Sequence, residues 1–177
     1  MLSTVSAKYS VLDMITMDSK ILFEYSQALR DRYLEQLAKL PWEEVVKSRG
    51  GSFDSLRDIF LHTVDAEDRL VNYVILERTE DWISQSPDMF RDLDSIRKRA
   101  EEVESKVKAY VGKLTQAELE RKVNMPRRGM PSISVRVEDV LVHAALENIH
   151  HFGELIALFW QIDVEPPHMG WIGYIQK

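Results

Sequence analysis

The chain has 177 residues, 45% of them apolar and 29% charged, with no cysteine and a formal charge of −6. That length buries a core without disulfide or metal staples, so a bound metal would serve function rather than folding. The scattered basic residues argue against a nucleic-acid groove, and the missing cysteine excludes disulfides, thiolate zinc sites and a protein-borne thiol nucleophile, leaving His and carboxylates as the strong ligands.

Neither a leader-like N-terminus nor an apolar run of membrane-spanning length is present, so the sequence reads as a soluble cytoplasmic protein with no membrane partner. Apolar residues at Met14, Met17, Ile21, Leu22, Tyr25, Leu29, Tyr33, Leu37 and Leu40 step by three and four, predicting an amphipathic helix that ends at Pro41. Gly50-Gly51-Ser52 breaks the chain. Ser52 is the expected N-cap of a second helix that carries Leu56, Ile59, Phe60, Thr63, Leu70 and Val74. His62 lies at the edge of that stripe, where an imidazole reaches an inner cavity while its helix still packs. Glu67 falls inside the apolar arc, where an unpaired carboxylate is costly, and therefore needs a buried partner or an interface.

After a polar loop at 77–85, Ser86-Pro87-Asp88 carries an N-cap, a first-turn proline and a dipole-favoured acid, predicting the start of a third helix. Leu93, Ile96, Ala100, Val103, Val107, Tyr110, Val111 and Leu114 continue it. Ile133, Val135 and Val137 then alternate with polar residues behind the turn-rich Pro126-Arg-Arg-Gly-Met-Pro131, which predicts a short β-hairpin or an extended crossover. The last long helix is expected over 138–161, followed by a non-helical aromatic strap at 163–177. With no repeat or linker, residues 1–177 read as one domain. Four long amphipathic segments with one long connection before the last predict an all-α four-helix bundle, an architecture that builds metal sites from facing helices.

Three of the five histidines, His143, His150 and His151, lie on the last helix. At about 100° per residue, His143, Glu147, His151 and Glu154 share an arc of roughly 80° and form one ladder of candidate ligands. The plainer reading of such a ladder is a set of helix-lining groups satisfied by hydrogen bonds. A metal needs ligands from more than one helix, and His62 is the histidine that lies outside both the last helix and the tail, which points to a triad of His62, Glu147 and His151. Two imidazoles and one carboxylate suit Zn²⁺, Ni²⁺ or Fe²⁺ rather than Ca²⁺ or Mg²⁺. His143 is a fourth ligand, a partner of the carboxylate, or a packing residue. Glu154 is a proton carrier, an orienter of a ligand, or one half of an inter-helix ion pair. Asp65 either holds the far nitrogen of His62 or forms an exposed salt bridge. His150 is placed at the helix flank and His168 on a solvated part of the strap.

These residues resemble the DinB-like family. Phe53-Asp-Ser-Leu-Arg-Asp-Ile-Phe-Leu-His-Thr-Val-Asp-Ala-Glu-Asp68 is similar to the family's segment of Ser-Leu, then His, then Ala-Glu, and the run ending His151-Phe-Gly-Glu154 is similar to its His-x-x-x-His-Arg-Gly-Gln motif. The resemblance covers about 14–161. It implies an up-up-down-down four-helix bundle, often dimeric, whose divalent metal is held by one His of the second helix and two of the last, at positions matching His62, Glu147 and His151. The chain departs from the motif at Glu147, Phe152 and Glu154, where the family has His, Arg and Gln, so no arginine follows the final ligand to serve an anionic substrate. Relatives of this kind include thiol-dependent transferases and isomerases, in which the metal activates a small external thiol.

Two function classes follow. One is a metal-dependent enzyme that uses His62, Glu147 and His151 as ligands and Glu154 or His143 as proton carrier, activating a small thiol or water for transfer or hydrolysis of a small-molecule substrate. The other is a non-catalytic stress-response or interaction protein with a vestigial metal site, whose Glu67 and apolar strap serve a homodimer or a partner.

Overall fold

The computed structural model describes residues 19–168 and 170–176. The chain is mostly helical with one two-stranded antiparallel sheet. Helix α1 spans Ser19–Leu37, so the expected helical positions Met14 and Met17 lie outside the described residues. It closes one turn before Pro41, which instead opens the short helix α2, Trp42–Val46. Helix α3, Leu56–Glu67, is capped by Ser55, whose hydroxyl accepts from the Asp58 amide at 3.2 Å. Ser52, the expected cap, lies three residues too early, and its side chain is used elsewhere.

The second predicted helix does extend to Val74, but over Asp68–Val74 it widens to π geometry, and Asn72 Nδ2 donates to Asp68 Oδ1 at 2.8 Å across the wider turn. Pro87–Met89 form a single 3₁₀ turn rather than the start of a long helix. The buried Phe90 follows it, and α4, Leu93–Val111, begins only at Asp92, which accepts from the Ser95 amide at 2.8 Å in a reciprocal capping box. Helix α5, Gln116–Glu120, leads into strands β1, Lys122–Arg127, and β2, Met130–Arg136. They pair through Val123↔Val135 and Met125↔Ile133, with a bulge between Met125 and Arg127 and Gly129 at φ +69° in the turn. Val137 does not continue the alternation. It is the buried first residue of α6, Val137–Trp160.

Helix α6 packs against both α1 and α3, and the buried apolar side chains of all the long helices form one cluster. Tyr33 stacks on Phe152 at 4.7 Å between centroids and donates from its hydroxyl to the Phe152 carbonyl at 3.3 Å. Polar ties cross this interior. Glu67 accepts from Arg30 at 2.8 Å and Gln27 at 3.2 Å on α1, and from Asn148 at 3.2 Å on α6. The buried carboxylate thus has internal partners rather than an interface. From α4, Arg99 bonds Asp65 at 2.9 Å and Asp68 at 2.7 Å.

The tail corrects the expected non-helical strap, because Trp171–Ile175 make one helical segment, α7. One turn sets Trp171 and Tyr174 on the same side, each with its ring 5.3 Å from that of Tyr25. Upstream, Arg32 and Gln36 donate to the carbonyls of His168 and Glu165. Among the described residues no helix is long and apolar enough to cross a membrane.

Candidate metal centre

The cap at Ser55 fixes where α3 starts and therefore which face His62 presents, while α6 lines up Glu147, His151 and Glu154 at spacings of four and three. Where the two helices pack, Glu147 Oε1 lies 3.4 Å from His62 Nε2 and 3.3 Å from His151 Nε2. One donor atom from each of the three residues lies within 4.8 Å of the others. The imidazoles meet edge to face at 4.5 Å, and Phe53 covers both, with its ring 4.3 Å from His62 and 5.4 Å from His151. His151 is buried. His62 and Glu147 are half-buried.

Burial pushes the His62 pKa below the ordinary imidazole value, His151 pushes the same way, and Glu147 only partly opposes them. Burial works to raise the Glu147 carboxyl, but the adjoining imidazoles of His62 and His151 outweigh it and hold the group below the usual carboxylate range. The local field therefore favours a neutral imidazole beside an ionised carboxylate, the protonation states that bind a cation.

The other nitrogen of His151, Nδ1, lies 3.3 Å from Glu154 Oε2, and that oxygen also accepts from Ser52 Oγ at 2.5 Å. Burial opposes ionisation of Glu154, yet Ser52 and His151 lower its pKa overall. A neutral imidazole that gives its Nδ1 proton to Glu154 must aim the Nε2 lone pair at Glu147 and His62. Donors bound tetrahedrally at about 2.0–2.2 Å from one cation sit about 3.3–3.6 Å apart. The spacing of Glu147 Oε1 from both Nε2 atoms matches that geometry, and the donor atoms of all three residues lie within 4.8 Å of one another, so the chemistry of the set fits a divalent ion.

The remaining candidates are distributed around this centre. His143 is exposed one turn before Glu147 and lies outside the three-donor cluster. His150 is exposed, 3.9 Å from Glu154 Oε1, and with His151 and Glu154 makes a second, more open group of donors. His168 is exposed on the tail. Asp65 corrects both expectations for it: its hydrogen bond is to Arg99 rather than to His62, and the pair is largely buried, with side chains 15% and 8% exposed. Phe53 and Ser52 were not singled out in the sequence as neighbours of the ligands. Their position just before the helix cap was the available signal.

A cavity of about 830 Å³ opens beside the triad, with His62, Glu147 and His143 on one wall. Its other walls come from the π segment, from Trp82 and its loop, and from the hairpin turn at Pro126, Arg127 and Arg128.

The family model described as the DinB family matches residues 14–176. Among solved structures, the chain is similar to a DinB-like protein from Bacillus cereus ATCC 10987, with 17% sequence identity, coverage of 84% of this chain and 95% of that one, and a TM-score of 0.53. At that identity the likeness bears on the fold alone. No curated protein matches.

Proposed function

The chain belongs to the DinB family, and from that membership and the convergence of His62, Glu147 and His151 we propose that it is a metal-dependent enzyme acting on a small molecule in the adjoining cavity. The observation that carries this reading is the single carboxylate oxygen poised at 3.3–3.4 Å from imidazole nitrogens of two different helices. Within it, residues 19–37, 56–74, 93–111 and 137–160 act as the four helices of an up-up-down-down bundle in one domain, and the family resemblance adds a homodimer.

Zn²⁺, Ni²⁺ or Fe²⁺ held by this triad would supply Lewis acidity, lowering the pKa of a water or small thiol to make a nucleophile for hydrolysis or transfer. The chain's own residues do the rest. Burial favours the neutral form of His62, and Glu147 contributes one negative charge that balances half of a divalent ion's. Glu154, itself fixed by Ser52, orients His151 through Nδ1 and is a positioning residue. Phe53 keeps water from one side of both imidazoles. His143, exposed on the cavity wall, is placed to carry a proton between a bound molecule and solvent.

Elemental analysis of untagged protein purified without chelating resin tests the reading. Near-stoichiometric metal that is lost in both His62→Ala and Glu147→Ala is the expected result. Absence of binding after addition of Zn²⁺, Ni²⁺ and Fe²⁺ would refute it and favour a retired site.

A further inference from the structure

The cavity beside the triad has a second chemical character, opposite in sign to the carboxylate at its floor. Three arginines line it: Arg69 from the π segment, and Arg127 and Arg128 from the hairpin turn. Among the described residues, none of the three forms an ion pair with a carboxylate. The acids in the same walls are already committed elsewhere. Asp58 is bonded by Arg57 at 2.8 Å and Asp65 by Arg99 at 2.9 Å, while Glu147 faces the imidazoles. The cavity therefore carries three guanidinium charges that no carboxylate of its own walls pairs with among the described residues.

Two of these groups are held in place without being neutralised. The Arg69 guanidinium lies over the Trp82 ring at 5.5 Å, a contact that orients the fork and leaves its N–H edge free. Arg127 spends only Nε, donating to the Pro131 carbonyl at 2.9 Å across the hairpin turn, so its terminal nitrogens remain available. The turn is fixed by the Arg127↔Met130 pair and the positive φ of Gly129. The same walls also carry the apolar side chains of Phe53, Leu61, Leu70 and Trp82. A volume of about 830 Å³ is that of a site for a whole small molecule rather than a solvent pocket.

We propose that the cavity takes a small organic anion with an apolar body, its carboxylate or similar oxyanion end bound by Arg69, Arg127 and Arg128 and its body lying toward the triad. For the place where the molecule reacts this rests on the metal-centre reading above, but anion recognition belongs to the arginines alone. Guanidinium forks match oxyanions in planarity and charge, and such hydrogen bonds are about twice as strong as neutral ones.

The test compares 1-naphthoate with the isosteric neutral 1-naphthamide by isothermal titration calorimetry, on zinc-loaded and on chelator-treated protein. Naphthoate is expected to bind about tenfold more tightly in both forms. The preference should fall to about unity in the Arg69→Gln/Arg127→Gln/Arg128→Gln variant, with zinc stoichiometry unchanged. Equal binding of the two compounds by the native protein, or no detectable binding of naphthoate, overturns the proposal. So does a preference that appears only with zinc and survives in the arginine variant, since the carboxylate then binds the metal; that outcome leaves the metal-centre reading intact. An arginine-dependent preference in a protein that takes up no metal supports anion recognition and sinks the metal-centre reading instead.

Discussion

Replacing Glu67 tests whether the polar tie through the core holds α1 to α3, the helix that carries His62. Arg30 and Glu67 are 1% or less exposed at their side chains and 2.8 Å apart, so neither charge has access to water. Arg30 Nε and Nη2 and Asn148 Oδ1 have no hydrogen-bond partner among the described residues, which leaves the guanidinium dependent on this one carboxylate. Removing one member of a buried pair costs about 3–5 kcal/mol, because the surviving charge is uncompensated. Glu67→Met also strips the acceptor from Gln27 and Asn148, so about 4 kcal/mol is expected, against about 3 for Arg30→Met, where Glu67 keeps two neutral donors. The double variant buries no charge and should lose only about 3 kcal/mol, from the Gln27 and Asn148 donors left without an acceptor, a coupling of about 4. Urea unfolding followed by far-UV circular dichroism measures all three, and the Glu67→Met loss corresponds to a Tm about 10 °C lower. If the double variant instead loses the sum of the two single losses, Arg30 and Glu67 are not coupled and the tie does not hold α1 to α3.

Other expected outcomes follow from single contacts. Glu154→Gln and Ser52→Ala should each weaken metal binding about 10- to 100-fold in a chelator competition, because His151 loses its orienting partner; unchanged affinity in both would remove Glu154 from the site. Ser55→Ala should cost about 1 kcal/mol of stability, and Ser52→Ala far less, since only Ser55 caps α3. Burial holds the Tyr33 phenol up at about 12, helped slightly by Tyr25, so its contribution is fully present below the unfolded value of about 10 and is lost as pH rises toward 12. Over that interval Tyr33→Phe should lose up to about 2–3 kcal/mol less stability than the native protein, and parallel alkaline curves would contradict the assignment. Metal at about 100 times its Kd should stabilise the native protein by about 2.7 kcal/mol, a rise in Tm of about 5–10 °C that His62→Ala abolishes.

Local chemistry reached the long elements and the facing of His62, Glu147 and His151, because both follow from helical period and from one packing contact. It failed where a choice between near-equivalent residues is made by the rest of the molecule. Ser52 and Ser55 are equally good caps in isolation. Burial of Leu56 and the Asp58 amide select Ser55, which frees Ser52 to bond Glu154. Ser86 lost to Asp92 in the same way, since Ser95 completes a capping box and Phe90 turns inward just before it. The five residues of α7 are too few to form a helix on their own strength and depend on Tyr25 for their shape. The need of Glu67 for a partner was legible, but Arg30 was not, because the pairing spans 37 positions of sequence. The Arg127-Arg128 pair is visible in the sequence, but only folding brings it to the same cavity as Arg69.

The hairpin illustrates how this fold can change without risk to itself. Its base is anchored by the buried Val123 and by the Val137 amide bonded to the Arg121 carbonyl, while residues 127–134 are exposed. Insertions, deletions or charge reversals at its tip would redraw one wall of the cavity yet leave the core and the three candidate ligands untouched. In evolutionary terms such a tip would be an interchangeable part, its few loop residues free to vary over an inherited scaffold.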